Sequence, residues 1–337
     1  MSNHCTDRSY IQLKVLLTGA FGNVGSSTLE ELLSRNGFEI TCFDLKNFET
    51  WRTARKFRGQ MDIVWGDIRD KNKLRTAVAN QDLVVHMAAI IPPRARFEPE
   101  YTEEVNVGGT RNLIETMKEQ SRPPKLLYTS SVAIYGDVRN KKPPTITLKD
   151  PVSPTPGDNY GETKATCEEL IMDSGLDWSI FRLSYIPNSK TLKLDPLMFE
   201  MPLDTLVEFT HTKDCGLAIA NAITKEEIWG RIFNIGGGAK CQLMYKDFLH
   251  QMLEVMGVGP LPDKAFGTNP FHCGYYDTEE NQALFNYQRH TFEDLLEEMK
   301  DQAPVKVFLA KAFRPLVRWY ILSKSRYYRS KNDSTSE

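Results

Sequence analysis

The chain has 337 residues, of which 41% are apolar and 26% charged, and its formal net charge is −2. These values are typical of a globular protein with one large core and a smaller lobe, and they argue against a nucleic-acid-binding protein. Apolar runs such as Leu83–Ile91 are too short to span a bilayer, and Met1–Ser9 lacks the apolar core of a signal peptide. The six cysteines form no CxxC pair and the histidines have no ligand spacing, so we expect reduced thiols in a cytoplasmic protein and no metal site.

The first half of the chain alternates short apolar runs with longer amphipathic ones. The pattern predicts strands and helices in alternation: strands at 14–18, 38–44, 62–65, 83–87, 125–130 and 178–183, and helices at 24–34, 71–79, 105–119 and 160–174. Short apolar strands separated by helices imply parallel strands joined by right-handed crossovers. We therefore predict an α/β fold of the Rossmann type, with a doubly wound parallel sheet and a smaller C-terminal substrate-binding lobe.

A glycine-rich loop joins the first strand to the first helix. Strand 14–18 leads directly into Gly19-Ala20-Phe21-Gly22-Asn23-Val24-Gly25, which is the strand–turn–helix context of a dinucleotide-binding loop. The first glycine permits a tight turn, the second lets the backbone approach a pyrophosphate, and the third lets helix and strand pack closely. We expect the cofactor to contact the following residues of this loop: Gly19, Phe21, Gly22, Asn23, Val24 and Gly25.

Two aspartates follow the next two strands. Asp44 ends the second strand, where an acidic side chain accepts hydrogen bonds from the adenosine ribose and repels a 2′-phosphate. This position favours NAD over NADP, although the nearby cations Lys46 and Arg52 keep NADP open. Asp67, with Ile68 beside it, follows the third strand and is expected to meet the adenine edge. The alternative is an aspartate that only caps its own loop.

A Tyr-x-x-x-Lys element begins the helix at 160–174. Tyr160 and Lys164 are four residues apart and share one helix face, so the ammonium is expected to lie beside the phenol. That ammonium and the positive ring of an oxidised nicotinamide would lower the pKa of Tyr160 toward neutrality and make it a general base, or the acid in the reverse direction. Ser131, at the end of the fifth strand, is expected to bond the substrate oxygen, unless it only caps the following turn.

These motifs resemble the extended short-chain dehydrogenase/reductase family, also called the NAD-dependent epimerase/dehydratase family, over residues 13–238. Beside the glycine loop and Tyr160/Lys164, the resemblance rests on these segments: His86-Met87-Ala88-Ala89, Val105-Asn106-Val107, Ser130-Ser131-x-x-x-Tyr135-Gly136 and Phe233-Asn234-Ile235-Gly236-Gly237. It implies that Ala88 and Ala89 line the dinucleotide cleft, and that Asn106 supports the active-site helix. It also implies that Lys164 binds the nicotinamide ribose, and that a homodimer forms through the helices of Asn106 and Tyr160.

Two departures from the family's motifs limit the set of reactions that the sequence favours. Val132-Ala133 stands where dehydratases carry an acidic residue, which disfavours elimination chemistry. Residues 184–208 contain only Lys190 and Lys193 as cations, which is few for clamping a nucleotide diphosphate. We therefore expect an enzyme, an NAD-dependent oxidoreductase acting on a small-molecule secondary alcohol or ketone. A sugar-nucleotide epimerase with tightly bound NAD and a non-catalytic dinucleotide-binding sensor are the alternatives.

The predicted domains follow from these motifs. We assign 1–185 with 207–238 to the NAD-binding domain, 186–206 with 239–302 to the substrate lobe, and 303–337 to a basic amphipathic segment. In that last segment apolar residues recur at helical spacing among lysines and arginines, and Pro315 is expected to kink the helix. The segment is either a terminal helix docked on the lobe with its basic face in solvent, or a peripheral contact with an anionic membrane through 303–331.

Overall fold

The computed structural model describes residues 12–187, 196–302 and 304–328. The strands are β1 (Leu13–Thr18), β2 (Phe38–Asp44), β3 (Asp62–Trp65), β4 (Leu83–His86), β5 (Lys125–Ser131), β6 (Thr145–Ile146), β7 (Trp178–Leu183), β8 (Leu206–Glu208), β9 (Arg231–Ile235), β10 (Gln242–Met244) and β11 (Tyr275–Tyr276). Residues 1–11, 303 and 329–337 of the predicted domains, and the cations Lys190 and Lys193, lie outside the described residues.

The helices lie between these strands and after them. They are α1 (Asn23–Leu33), α2 (Phe48–Ala54), α3 (Lys71–Val78), α4 (Arg94–Phe97), α5 (Pro99–Glu103), α6 (Gly109–Lys118), α7 (Asn159–Met172), α8 (Thr212–Ala222), α9 (Tyr245–Val255), α10 (Glu279–Phe285), α11 (Phe292–Gln302), α12 (Pro304–Ala312) and α13 (Arg314–Leu322). The helix predicted at 105–119 differs in its first part, because a π-helical stretch, Glu104–Gly108, precedes α6. Among the described residues, no helix combines the length and apolar character that crossing a bilayer requires.

Seven parallel strands form the central sheet, in the order β3-β2-β1-β4-β5-β7-β9. Helices α1 and α8 cover one face of this sheet, and α3, α6 and α7 cover the other. Because both faces are covered, the middle strands carry uninterrupted apolar runs, as the sequence shows. The predicted Rossmann-type fold is confirmed. The strand order reverses between β1 and β4, and ligands of such sheets bind in the crevice at the carboxyl ends of these strands.

A smaller lobe is built from the later part of the chain. In this lobe β8 pairs antiparallel with β10 and lies outside the central sheet. A separate apolar cluster unites α9 and α11 through side chains such as Phe248 and Phe292. Phe285 and Tyr287, which were assigned to the substrate lobe, instead pack in the core of the central sheet beside Phe181. The predicted domain boundaries themselves stay a prediction.

Candidate active site

The glycine loop lies at the carboxyl end of β1, where the strand order reverses. Gly19 has a φ of +66°, and a Cβ there would lie 2.8 Å from the backbone nitrogen of Ala88. A Cβ on Gly25 would lie 2.1 Å from the Gly19 carbonyl oxygen. Both glycines are therefore required by close backbone approach, Gly19 to the β4 loop and Gly25 to the turn itself.

The N-terminus of α1 faces the same crevice. Gly22 is the N-cap of α1, and none of the described side chains caps this helix. The first-turn N–H groups, which include those of Asn23 and Val24, therefore stay available to an anionic group, and the helix dipole favours such a group there. Phe21 contributes through its backbone, because its ring is buried against Trp65 at a centroid distance of 5.3 Å.

Asp44 is tied to the glycine loop. One carboxylate oxygen accepts a hydrogen bond from the Phe21 N–H at 2.9 Å, and the other accepts one from the Leu45 N–H at 2.8 Å. Burial raises the pKa of this carboxyl, while the two backbone hydrogen bonds lower it. The carboxylate thus holds the loop in place and retains lone pairs for a further donor such as a ribose hydroxyl.

Asp67 is engaged in its own loop. The Arg69 guanidinium binds the carboxylate at 2.8 Å, and the Arg69 N–H donates to it at 2.9 Å. These hydrogen bonds hold the pKa of Asp67 below its usual range. This arrangement is that of the loop-capping alternative, while the role toward adenine stays a prediction. The neighbouring Ile68 is buried in the core and packs where Gly109 leaves room for it.

Asn106 links the cofactor side of the crevice to the helix of Tyr160. Its side-chain oxygen Oδ1 accepts the Ile90 N–H at 2.7 Å, and its side-chain nitrogen Nδ2 donates to the Ile90 carbonyl at 3.0 Å. The same amide donates to the Thr163 hydroxyl on α7 at 3.1 Å. Since Ile90 follows Ala88 and Ala89 directly, one buried side chain fixes the loop after β4 against α7.

Ser131, Tyr160 and Lys164 come together at the end of β5. The Ser131 hydroxyl caps the turn by accepting the Ala133 N–H at 3.2 Å, and it also hydrogen-bonds the Tyr160 side chain. Burial raises the pKa of Tyr160 to about 12, although the bond from Ser131 acts in the opposite direction. The protein alone therefore keeps this phenol protonated. The sequence predicts the opposite, a lowered pKa of Tyr160, for the site with an oxidised cofactor bound.

Lys164 is a buried cation. Its Nζ donates to the Thr129 carbonyl at 2.7 Å, and burial lowers its pKa to about 8. The ammonium also stands over the Tyr128 ring, at 4.6 Å from the centroid. The nearby His86 stays neutral, because burial and the charge of Lys164 lower its pKa to about 3. Lys164 is thus the positive group of this site, and His86 bridges the Thr18 and Thr110 hydroxyls.

Two polar pairs beside the site were not expected from the sequence. Glu168 and Arg182 form a buried ion pair at 2.6 Å, and Arg182 also donates to the Tyr135 hydroxyl at 2.6 Å. At the start of α7, the His272 ring lies in close contact with the carboxylate of Asp158, the residue that precedes the helix. Tyr135 belonged to a recognised motif, but nothing in the sequence indicated the partners of these residues.

Comparisons with known proteins agree with this geometry. Residues 16–178 match the model of the 3-beta hydroxysteroid dehydrogenase/isomerase family. The chain is 30% identical to a D-erythronate dehydrogenase of Cupriavidus necator over 167 residues, 48% of this chain and 50% of that protein. It is 32% identical to UDP-glucose 4-epimerase 4 of Oryza sativa subsp. japonica over 184 residues, 51% of this chain and 48% of that protein.

The fold has solved counterparts. The structure of UDP-glucuronic acid 4-epimerase from Bacillus cereus, in complex with UDP-glucuronic acid and NAD, superposes with a TM-score of 0.71 at 21% identity, covering 87% of this chain and 99% of that one. The chain spans about half the length of the curated relatives it matches. The glycine loop and the Tyr160/Lys164 helix lie within residues 16–178, whereas β9 of the sheet lies outside them. These matches support a resemblance to the extended short-chain dehydrogenase/reductase family over about the first half of the chain, and the solved structures show the same fold.

Proposed function

We propose that this protein is an NAD-dependent oxidoreductase that acts on a secondary alcohol or the corresponding ketone. The observation that carries the proposal is the convergence of Ser131, Tyr160 and Lys164 at the carboxyl end of β5, beside the glycine loop. A bound nicotinamide ring would accept the hydride from the alcohol carbon or return it to the ketone. The protein's own part is to move the hydroxyl proton, which Tyr160 takes up as a phenolate or gives back as a phenol.

Each of the three side chains has a distinct role in this proposal. Ser131 holds the substrate oxygen, and its hydrogen bond to Tyr160 aligns the two hydroxyls. Lys164 supplies the positive charge that favours the phenolate, together with the positive ring of the oxidised cofactor. The carboxylate of Asp44 supports NAD rather than NADP, because a 2′-phosphate beside it would meet like charge.

An assay of cofactor reduction tests the proposal. Purified protein is mixed with NAD or NADP and a panel of secondary alcohols and sugar nucleotides, and the absorbance of the reduced nicotinamide is followed. We expect net reduction with an alcohol, and we expect Tyr160→Phe to lower turnover by about a hundredfold to ten-thousandfold while NAD still binds. Tyr101→Phe, which removes a tyrosine hydroxyl on α5, serves as the control and should keep turnover. Equal turnover of Tyr160→Phe and the native protein would refute the role of Tyr160.

A sugar-nucleotide 4-epimerase is the second candidate, because curated relatives carry that name. An epimerase returns the hydride to the same substrate, so it shows no net reduction. Interconversion of a sugar nucleotide, with NAD released only when the protein is denatured, would favour this candidate. NAD binding without turnover of any kind would instead indicate the sensor alternative.

Two further proposals concern assembly and location. A homodimer through α6 and the helix of Tyr160 is supported by the family resemblance and is tested by the mass of the protein in solution. A cytoplasmic location is supported by the five described cysteines, which are all buried free thiols, as expected in a reducing compartment.

A further inference from the structure

The last two described helices expose their apolar residues. On α12 the exposed large side chains are Val305, Phe308 and Leu309, and on the segment with α13 they are Phe313, Leu316, Trp319 and Tyr320. Phe308, Leu316 and Trp319 are 70%, 65% and 71% exposed. We call these seven residues the C-terminal apolar surface. Single exposed apolar residues are ordinary, but a set of this size marks a site of interaction.

Polar contacts, as well as apolar ones, hold α13 against the lobe. The Arg314 guanidinium donates to the Val258 carbonyl at 2.9 Å, and Arg318 donates to the carbonyls of Val258 and Pro260. The sequence favoured a helix docked with its basic face in solvent. The structure instead turns these two arginines toward the lobe and leaves Leu316, Trp319 and Tyr320 exposed, while Val317, Ile321 and Leu322 pack in the apolar cluster of the lobe. Ile321 is the one large apolar residue of α13 that is fully buried.

Both helices present their apolar residues away from the same support. A Cβ on Gly257 would touch the Val307 carbonyl of α12, and a Cβ on Gly259 would touch Arg314 of α13, so both helices rest on segment 257–260. Residues 305, 308 and 309 share one face of α12, and 316, 319 and 320 share one face of α13, because they lie three and four positions apart. Both faces are exposed, and on α13 the exposed face lies opposite Arg314 and Arg318, which contact segment 257–260.

The charge around this surface identifies its partner. Residues 304–328 contain six cations and no carboxylate. Three of them bind groups of the lobe: Arg314 and Arg318 bind backbone carbonyls, Arg314 also pairs with Glu254, and Arg326 pairs with Glu200. The other three, Lys306, Lys311 and Lys324, are exposed. A second copy of the chain on this surface would bring two such sets of cations together, which is unfavourable. Tryptophan and tyrosine beside cations are the side chains that favour the headgroup level of a bilayer. We propose that the C-terminal apolar surface docks on an anionic membrane, lying in the interface without crossing it.

The segment after α13 lies near α4. Glu200 binds Arg326 at 2.5 Å and stands 3.7 Å from Arg96 of α4. Helix α4 follows the loop of Ala88 and Ala89, and it carries the exposed Phe97. The docking itself does not depend on the proposed function, because it is measured without turnover.

Vesicle sedimentation of the full chain tests the proposal. The vesicles contain phosphatidylcholine alone, or phosphatidylcholine and phosphatidylserine at about three to one. We expect the native protein to sediment with the anionic vesicles, and Phe308→Ser with Trp319→Ser to lower the partition coefficient about tenfold or more. The matched control replaces two exposed apolar residues outside these helices, Leu148→Ser with Val152→Ser, and should change it less than about twofold.

Further variants separate the contribution of positive charge to membrane binding from that of the apolar residues. Lys306→Gln, Lys311→Gln and Lys324→Gln together should weaken binding to anionic vesicles only, because they remove charge and leave the apolar residues. NAD binding of the Phe308/Trp319 variant, measured without vesicles, should equal that of the native protein and shows that the variant is folded. Native protein that stays in the supernatant with both vesicles would overturn the proposal. A dimer that dissociates in the Phe308/Trp319 variant, without vesicle binding by the native chain, would overturn it in favour of self-association.

Discussion

Lys164 is held by the backbone of the strand beside it, since its Nζ donates to the Thr129 carbonyl at 2.7 Å. This bond keeps the ammonium 4.6 Å from the centroid of the Tyr128 ring and 5.9 Å from that of Tyr160. The cation is therefore buried at a fixed place beside Tyr160, the proposed catalytic residue. Burial of the ammonium lowers the stability of the folded protein wherever Lys164 would otherwise be charged, and this cost is measurable.

Removing the Lys164 ammonium should change the pH dependence of stability. Burial lowers the pKa of Lys164 from 10.5 to about 8, so between these pH values the unfolded chain binds a proton that the folded chain lacks. The free energy of unfolding of the native protein should therefore rise with pH across this window, relative to Lys164→Met, by up to about 3 kcal/mol. Urea unfolding of both proteins at several pH values measures this. A difference between them that does not vary with pH would contradict the prediction.

Oxidised cofactor should lower the pKa of Tyr160. The protein alone holds that pKa at about 12, because burial outweighs the hydrogen bond from Ser131. A positive nicotinamide ring beside the phenol stabilises the phenolate, so tyrosinate should form at least about one pH unit lower when NAD is bound. The measurement is an ultraviolet titration, with Tyr160→Phe subtracted to isolate this residue. Identical titrations with and without NAD would contradict the proposed electrostatic role of the cofactor.

The central sheet was predictable because its signals are local. Each strand is a short apolar run, and the glycine loop and the Tyr160/Lys164 pair each lie within seven residues of sequence. The ion pair of Glu168 and Arg182 could not be predicted in this way. They lie on a helix and a neighbouring strand, and no periodicity relates the two positions. The pair is visible only once β5, β7 and α7 are packed together.

The lobe was less predictable because its contacts join residues that are distant in the sequence. Strand β8 is three residues long and finds its partner, β10, beyond a helix and another strand. The sequence around Phe285 does not indicate which apolar cluster this residue joins. Its ring packs against Phe181 and Phe233, which are distant in the sequence, so the contact depends on the fold of the whole chain. In the C-terminal helices the spacing of apolar residues was clear from the sequence, but which face docks depended on carbonyls of segment 257–260.

A methyl group at Gly25 should disturb the cofactor loop. A Cβ there would lie 2.1 Å from the Gly19 carbonyl oxygen, so Gly25→Ala must push the turn away from α1. We expect a loss of about 1–3 kcal/mol in stability and at least about tenfold weaker NAD binding. The control is Gly108→Ala, where the nearest atom is 4.0 Å away and φ is −61°. It should not lower stability, and comparable losses in both variants, measured by thermal unfolding and NAD titration, would refute the argument.

Replacing the Asp44 carboxylate should relax the preference between the two dinucleotides. Asp44→Asn removes the negative charge that a 2′-phosphate would meet, so the ratio of the NADP and NAD dissociation constants should fall about tenfold. The control is Asp70→Asn, because Asp70 also accepts two backbone N–H groups but caps α3 outside the glycine loop. Asp70→Asn should lower the stability of the protein and leave the ratio of the NADP and NAD dissociation constants unchanged. Since Asp44 also holds the Phe21 N–H at 2.9 Å, some loss of NAD affinity is expected in addition. If the native protein binds NADP more tightly than NAD, or if Asp44→Asn leaves the ratio unchanged, then the carboxylate serves only to hold the loop.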